Sequence, residues 1–379
     1  SGQGIEALES FKQMQEEGLS PDNVTFGCIL KACGSIGAIE KGERIHDEIV
    51  RRGLLGKDIV LGNALVDMYA KCGALTTSQA LFDELLVHDT VCWNALICGY
   101  TQQCRDGEAL SLFDRMQKEG FSPDSVTFAS ILRACANICA ISKGKQIHYE
   151  IVKRSLLEKN TVLVNALVDM YSKCGAMLDA RWAFEKVHPK GVLTYNILIA
   201  AYAQEECNDS AIEVLEEMQY VNIVPDEGSF VNVLRACHYP ELLEKGKVIH
   251  TNIVQRGFDS VLTINTALIG MYGKCGALEE AHCVFDGVEE KNLVSWTAII
   301  TAYSQQGYGE EAIQLFKEMH LEGISADTIT LVSILGAYAN LEAAAEHEVI
   351  QACYKHKFES NIILGNALIT KYDQISSNQ

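Results

Sequence analysis

Apolar residues along this chain recur at spacings of three and four, in short bursts separated by glycine or by a Pro-Asp pair. In 161–173, Val164, Leu167, Val168 and Tyr171 follow the i, i+3, i+4, i+7 stripe of an amphipathic helix, and Gly175 offers its stop. The next burst repeats the stripe with Ala180, Ala183, Phe184 and Val187, which predicts a second helix. Two short helices cannot bury both stripes by themselves, so helix pairs must stack on neighbouring pairs. The pattern predicts an all-α solenoid with two helical layers around one continuous core.

The bursts are copies. NALVDMYAKCGAL at 63–75 returns as NALVDMYSKCGAM at 165–177, then more loosely as TALIGMYGKCGAL at 266–278 and NALITKY at 366–372. A second type carries TFGCILKAC at 25–33, TFASILRAC at 127–135, SFVNVLRAC at 229–237 and a drifted TLVSILGAY at 330–338. A third carries WNALICGYTQQ at 93–103, YNILIAAYAQE at 195–205 and WTAIITAYSQQ at 296–306. Aligning these anchors divides the chain into 23–58, 59–89, 90–124, 125–160, 161–191, 192–226, 227–261, 262–292, 293–327 and 328–361. Residues 1–22 read as the back half of a unit and 362–379 as the front half of another. Both ends cut through repeats, so a longer array is expected.

These motifs resemble pentatricopeptide repeats, and the alternation of 35, 35 and 31 residues resembles the plant PLS subclass. P units are 90–124, 192–226 and 293–327, with a partial one at 1–22; the first two end in GFSPD (120–124) and NIVPD (222–226). L units are 23–58, 125–160, 227–261 and 328–361. The first three carry GERIH (42–46), GKQIH (144–148) and GKVIH (246–250), whereas the fourth has AAEHEVIQ from Ala344 to Gln351. S units are 59–89, 161–191, 262–292 and the partial 362–379.

The resemblance covers the whole chain and implies a right-handed superhelical solenoid of helix-turn-helix repeats that reads single-stranded RNA, one base per P or S repeat. It implies that the fifth and last residues of a unit contact one base edge, while the apolar second residue wedges between bases. Asn63 with Asp89, Asn94 with Asp124, and Asn196 with Asp226 then favour uracil; Thr266 with Asn292 favours adenine, and Thr297 with Asp327 favours guanine. Asn165 is followed by Gly191 where Asp or Asn belongs, leaving a pyrimidine, and Asn366 opens the last partial unit. The wedges are Val60, Val91, Val162, Leu193 and Val294. L units offer Gly27, Ala129, Val231 and Val332 at position five, none of which forms edge hydrogen bonds. With the family's parallel polarity the expected target is 5′-UUn(Y)UnAG-3′.

Part of this can be read without the family. Val162, Asn165, Asp169 and Lys173 lie off the apolar stripe of their helix, on a second face. A small apolar residue, an amide and a lysine suit a base face, a base edge and a phosphate in turn. In isolation, Asn165 at a helix start and Lys173 at a helix end are also ordinary helix-terminus residues. The return of the set with Asn63 and Lys71, and with Thr266 and Lys274, favours the RNA reading.

Charge then constrains how such an array binds. Net charge is −19, the wrong sign for a protein held to nucleic acid by bulk electrostatics. Yet the first fourteen residues of the ten complete units sum to +2, from Lys31, Lys71, Arg133, Lys173, Arg235 and Lys274 against Asp67, Asp169, Glu205 and Glu227. The acidity therefore belongs to the second helices and linkers, which are expected to form the outer layer.

Of fourteen cysteines, six recur at fixed positions (Cys33, Cys135, Cys237 and Cys72, Cys174, Cys275), which fits small buried thiols in a reducing compartment rather than a disulfide framework. The longer PLS proteins often end in a zinc deaminase-like domain with HxE and CxxC motifs. In the L units HxE occurs at His46–Glu48 and His148–Glu150, but no CxxC occurs anywhere, so these two histidines are expected to be packing residues. Neither a catalytic constellation nor a metal or cofactor site is expected, and no apolar run is long enough to span a bilayer. The family implies a mitochondrial or chloroplast location and a role in RNA processing, most plainly as the targeting array of a C-to-U editing factor, with editing or processing factors acting in trans. The rival classes are a protein-binding helical solenoid and a ribonucleoprotein scaffold without base readout.

Overall fold

The structure is a computed structural model and describes residues 2–55, 58–157, 160–186 and 190–340. Val187, the AAEHEVIQ segment, Asn366 and the final partial unit lie outside the described residues. Every regular element among the described residues is helical, as the spacing predicts.

The first compact unit, Ser1–Leu198, contains α1 (Gly2–Glu16), α2 (Asn23–Ile36), α3 (Ile39–Arg51), α4 (Ile59–Lys71), α5 (Leu75–Glu84), α6 (Thr90–Gln102), α7 (Asp106–Lys118), α8 (Ser125–Asn137), α9 (Ile141–Lys153), α10 (Thr161–Lys173), α11 (Met177–Glu185) and the start of α12 (Val192–Gln204). Helices α2, α4, α6, α8 and α10 pack side by side in that order and form one layer. The odd-numbered helices form the other, and α3, α5, α7 and α9 each pack on their own layer-one helix and on the next. Core side chains such as Phe26, Phe82, Phe113, Phe128 and Phe184 lie fully buried between the layers.

The second unit, Ile199–Gln379, repeats the scheme. It holds the rest of α12, α13 (Asn208–Tyr220), α14 (Glu227–Ala236), a 3₁₀ turn (Pro240–Leu242), α15 (Leu243–Gln255), α16 (Leu262–Lys274), α17 (Leu278–Asp286), α18 (Leu293–Gln305), α19 (Gly309–Leu321) and α20 (Thr328–Asn340). Here α14, α16, α18 and α20 form the first layer, with α13, α15, α17 and α19 behind.

Most first-layer helices begin behind an Asp or Asn cap. Asp22, Asp58, Asp89, Asp124, Asn160, Asp226 and Asn292 each accept a hydrogen bond from a backbone N–H of the first turn that the helix itself leaves unpaired. Gly175, at φ 70°, supplies the left-handed residue behind α10, where the sequence places the stop.

The recurring histidines, methionines and cysteines interlock one helix pair with the next. Met68 lies over Gly42, where an added Cβ would sit 2.4 Å from its sulfur; Met170 over Gly144 and Met271 over Gly246 repeat this at 2.5 and 2.7 Å. His46 Nδ1 meets the Tyr69 hydroxyl at 2.9 Å, His148 meets Tyr171 at 2.8 Å, and His250 meets Tyr272 at 2.9 Å. Burial holds these imidazoles below their ordinary pKa and pushes the three phenols up to about 12. Neutral rings packed edge-on against tyrosine are structural, and this is where the HxE motifs at His46 and His148 fall. The thiols of Cys72, Cys174 and Cys275 point at the backbone carbonyls of Cys33, Cys135 and Cys237 (3.8, 3.9 and 3.3 Å). Burial raises the pKa of all six, Cys135 and Cys237 to about 12, which leaves them as unreactive thiols.

Candidate nucleic-acid interface

Side-by-side packing of the first-layer helices brings the first turn of one helix to the start of the next. Asn63 on α4 is thereby set against Asp89, 26 residues on, and its Nδ2 donates to both carboxylate oxygens at 3.0 and 3.2 Å. Asn94 on α6 donates likewise to Asp124 at 3.0 and 3.0 Å. Each aspartate does two things, since Asp89 also caps α6 through Cys92 N (2.8 Å) and Asp124 caps α8 through Val126 N and Thr127 N (both 2.9 Å). A carboxylate can only accept, so the amide must turn its NH2 end towards it. One N–H of each amide goes to the carboxylate and the second is left over. Both asparagines are only 8% exposed, so a partner reaches little more than that edge.

The other candidate readers divide by partner. Thr297 on α18 shares a hydrogen bond with Thr330 (2.7 Å), and Thr330 donates to Asp327 (2.7 Å). With Thr330's proton on the carboxylate, Thr297 must donate to Thr330, which leaves its lone pairs as acceptors. Thr266 donates to the Leu262 carbonyl one turn back (2.9 Å) and so also presents acceptors. Asn292 uses its Oδ1 to cap α18 through Val294 N and Ser295 N, which leaves its NH2 group to donate. Asn165 accepts at Oδ1 from Thr194 Oγ1 (2.7 Å), and Gly191 brings no side chain to the joint. Asn196 sits half-buried on α12, and Asp226 caps α14 through Ser229 N (2.9 Å). The L-type positions Gly27, Ala129, Val231 and Val332 are half-buried and present no polar side-chain atom.

Val60, Val91, Val162, Leu193 and Val294 stand out from the same helix starts, all more than half exposed. So do Val24, Val126 and Ile329, the second residues of L units, which are not among the wedges expected from the sequence. Recurrence at the same unit position was the signal for them. Exposed apolar residues in register form a repeated surface on which a planar group could stack.

The lysines are not equivalent. Lys71 is tied to Asp67 (2.7 Å) and Lys173 to Asp169 (3.0 Å), each one turn earlier on its helix. Gly270 stands at that place before Lys274, which makes no ion pair among the described residues. Lys31, Arg133 and Arg235, the ninth residues of L units, are exposed and equally without ion pairs among the described residues. In the sequence these three stand out only as charge, with no phosphate assigned to them. Arg235 and Lys274 line a cavity of about 390 Å3 together with Thr266, Asn292, Val294 and His238, so in the second unit a candidate base-contacting pair, an exposed valine and two cations without ion pairs among the described residues share one concavity.

Comparison with known proteins gives this geometry a context. A model of the PPR repeat family matches residues 88–137, 190–238 and 291–340; a pentatricopeptide repeat domain model matches 2–35, and a PPR repeat model 24–54 and 266–293. A mitochondrial pentatricopeptide repeat-containing protein of Arabidopsis thaliana is 34% identical over 98% of this chain and 36% of its own length. A chloroplastic one from the same plant is 33% identical over 93% of this chain and 57% of its own length. The chain therefore spans less than two thirds of either relative. Among solved structures, PPR10 in complex with an 18-nt psaJ RNA element superposes with a TM-score of 0.74 at 19% identity, covering 94% of this chain and 53% of that one. PPR10 from maize superposes with a TM-score of 0.65 at 18% identity, covering 97% and 59%. Helix pairs stacked in two layers, the repeated motifs and these matches agree: the chain belongs to the pentatricopeptide repeat family.

Proposed function

We propose that this chain is an RNA-reading array of the PLS type, in which each P or S unit takes one base and L units carry phosphate-facing cations and wedges. The observation that carries this reading is the coupling of Asn63 to Asp89 and Asn94 to Asp124 beside exposed valines. A capped helix start needs only the aspartate, and a protein-binding groove needs no buried two-residue register. The starts of the first-layer helices, at Asn23, Ile59, Thr90, Ser125, Thr161, Val192, Glu227, Leu262, Leu293 and Thr328, support drawing the units at those residues.

The RNA complex of PPR10 supports RNA as the ligand, and the organellar relatives support a mitochondrial or chloroplast site of action. On this reading the target is 5′-UUn(Y)UnAG-3′ and the array itself performs no chemistry. It delivers a transcript to editing or processing factors in trans, C-to-U editing first among them. Gel shifts with that sequence and a scrambled one test the reading; equal weak binding to both would favour the protein-binding or scaffold alternative.

The free and tied lysines give a second measurable consequence. Lys274→Ala should weaken binding to all sequences and lower the slope of log affinity against log salt by about 0.7, the value for one phosphate contact on a single strand. Lys71→Ala should change the slope by less, because Asp67 already neutralises that ammonium. Equal slopes for the two variants would remove Lys274 from the phosphate path.

A further inference from the structure

We propose that the third residue of a repeat is a positioning residue for the fifth residue of the repeat before it. Its buried hydroxyl ties down one polar atom of that side chain and turns the remaining one to the RNA. The inference rests on reading the fifth residue as the base contact.

Three joints share this geometry. Thr127 Oγ1 donates to Asn94 Oδ1 at 2.5 Å, Thr194 Oγ1 to Asn165 Oδ1 at 2.7 Å, and Thr330 Oγ1 lies 2.7 Å from Thr297 Oγ1. All three hydroxyl residues are 1% exposed or less, so water cannot take their place. The sequence follows the same logic. Units that come after Gly27, Ala129 and Val231 carry Leu61, Leu163 and Ile264 at position three, where no polar side chain waits across the joint.

Helix capping does not account for the pattern. Thr127 does complete a capping box with Asp124, but Asp58 and Asn160 cap α4 and α10 with leucine at the same place. Thr194 separates the two roles, because Gly191 before it offers no side chain to cap α12, yet its hydroxyl still reaches Asn165. Two joints lack the bond among the described residues. Ser295, third in its unit after Thr266, donates to the Asn292 carbonyl inside the α18 capping box, while Thr266 donates to Leu262. Asn63 shows what a missing hydroxyl leaves behind. Cys92 follows it, and its Oδ1 is buried with no hydrogen-bond partner.

At Asn165 the consequence is specific. With Oδ1 held by Thr194 and no carboxylate from Gly191, the joint presents donors alone. Cytosine offers acceptors at N3 and O2 to such an edge, whereas uracil brings an N3–H that would go unpaired. The unit 161–191 should therefore take cytosine over uracil at the fourth base.

Binding of the full chain to oligonucleotides varied at that base tests this. The wild type should prefer cytosine roughly fivefold, the ratio expected of one net hydrogen bond. Thr194→Val, which keeps shape and removes the hydroxyl, should bring the two within about twofold, and Thr194→Ser should restore the preference. Discrimination at the first and second bases, read by Asn63 and Asn94, should persist in both variants. If it persists while Thr194→Val leaves the fourth base unchanged, or if the wild type does not favour cytosine, the inference is overturned and the array reading stands. If no base is discriminated in the wild type, both fall. Should Thr194→Val not fold, Cys92→Ser places a hydroxyl beside the unpaired Asn63 Oδ1 and should sharpen uracil selectivity at the first base roughly fivefold; no change there overturns the inference.

Discussion

Thr297→Asn should move the preference at the eighth base of the target from guanine to uracil. The surroundings for an asparagine are already in place. Asp327 stands where Asp124 stands for Asn94, and Thr330 where Thr127 stands. An amide at 297 can donate to Asp327 and accept from Thr330, leaving one N–H for a uracil oxygen, whereas Thr297 offers lone pairs that suit the N–H groups of guanine. A well-formed edge contact is worth about 1–3 kcal/mol, so the ratio of the two affinities should shift by roughly tenfold or more. Affinities for oligonucleotides differing only at that base measure it, and an unchanged ratio would falsify the assignment of Thr297.

Gly99→Ala should loosen the joint between α4 and α6. An added Cβ at Gly99 would lie 2.4 Å from the Ala70 Cβ and 3.3 Å from its Cα, so backbone and not a flexible side-chain tip must give way. Overpacking of this kind costs about 1–3 kcal/mol and should lower the denaturant midpoint. Gly107→Ala is the control, since nothing lies within 4 Å of its added Cβ and alanine is the better helix former. In a stacked array each unit touches only its neighbours, so the damage should stay local. The Asn63–Asp89 pair spans this very joint, so uracil selectivity at the first base should fall while that at the eighth is kept. A wild-type midpoint for Gly99→Ala would mean the helices separate at no cost.

The fold was legible because its signals are local. Val164, Leu167, Val168 and Tyr171 mark a helix face by spacing alone, and copies of NALVDMY show that the same face is used again. The coupling of Asn63 to Asp89 and of Asn94 to Asp124 was legible only through resemblance, since nothing in Asn63 or Asp89 taken singly points across 26 residues. What escaped the sequence reading was what depends on neighbours across a joint or on the same face. Lys71 and Lys173 looked like Lys274, but an aspartate one turn earlier neutralises the first two. Val24, Val126 and Ile329 belong to units without a polar fifth residue, yet they stand exposed at the same unit position as Val60, Val91 and Val294.

By itself, then, the sequence determined the helices, their pairing into repeats, the apolar faces that must stack, and which residue types sit at the start of each unit. These follow from a period of 3.6 residues and from the need to bury a stripe, both properties of neighbouring residues in the chain. The tertiary structure decided which polar atoms remain free. Hydrogen-bond capacity is consumed by whatever packs within about 3 Å, and packing here joins residues some 30 positions apart. Asp124 as both cap and amide partner, Thr194 as the partner of Asn165, and Lys274 as a cation without an ion pair among the described residues are outcomes of that packing.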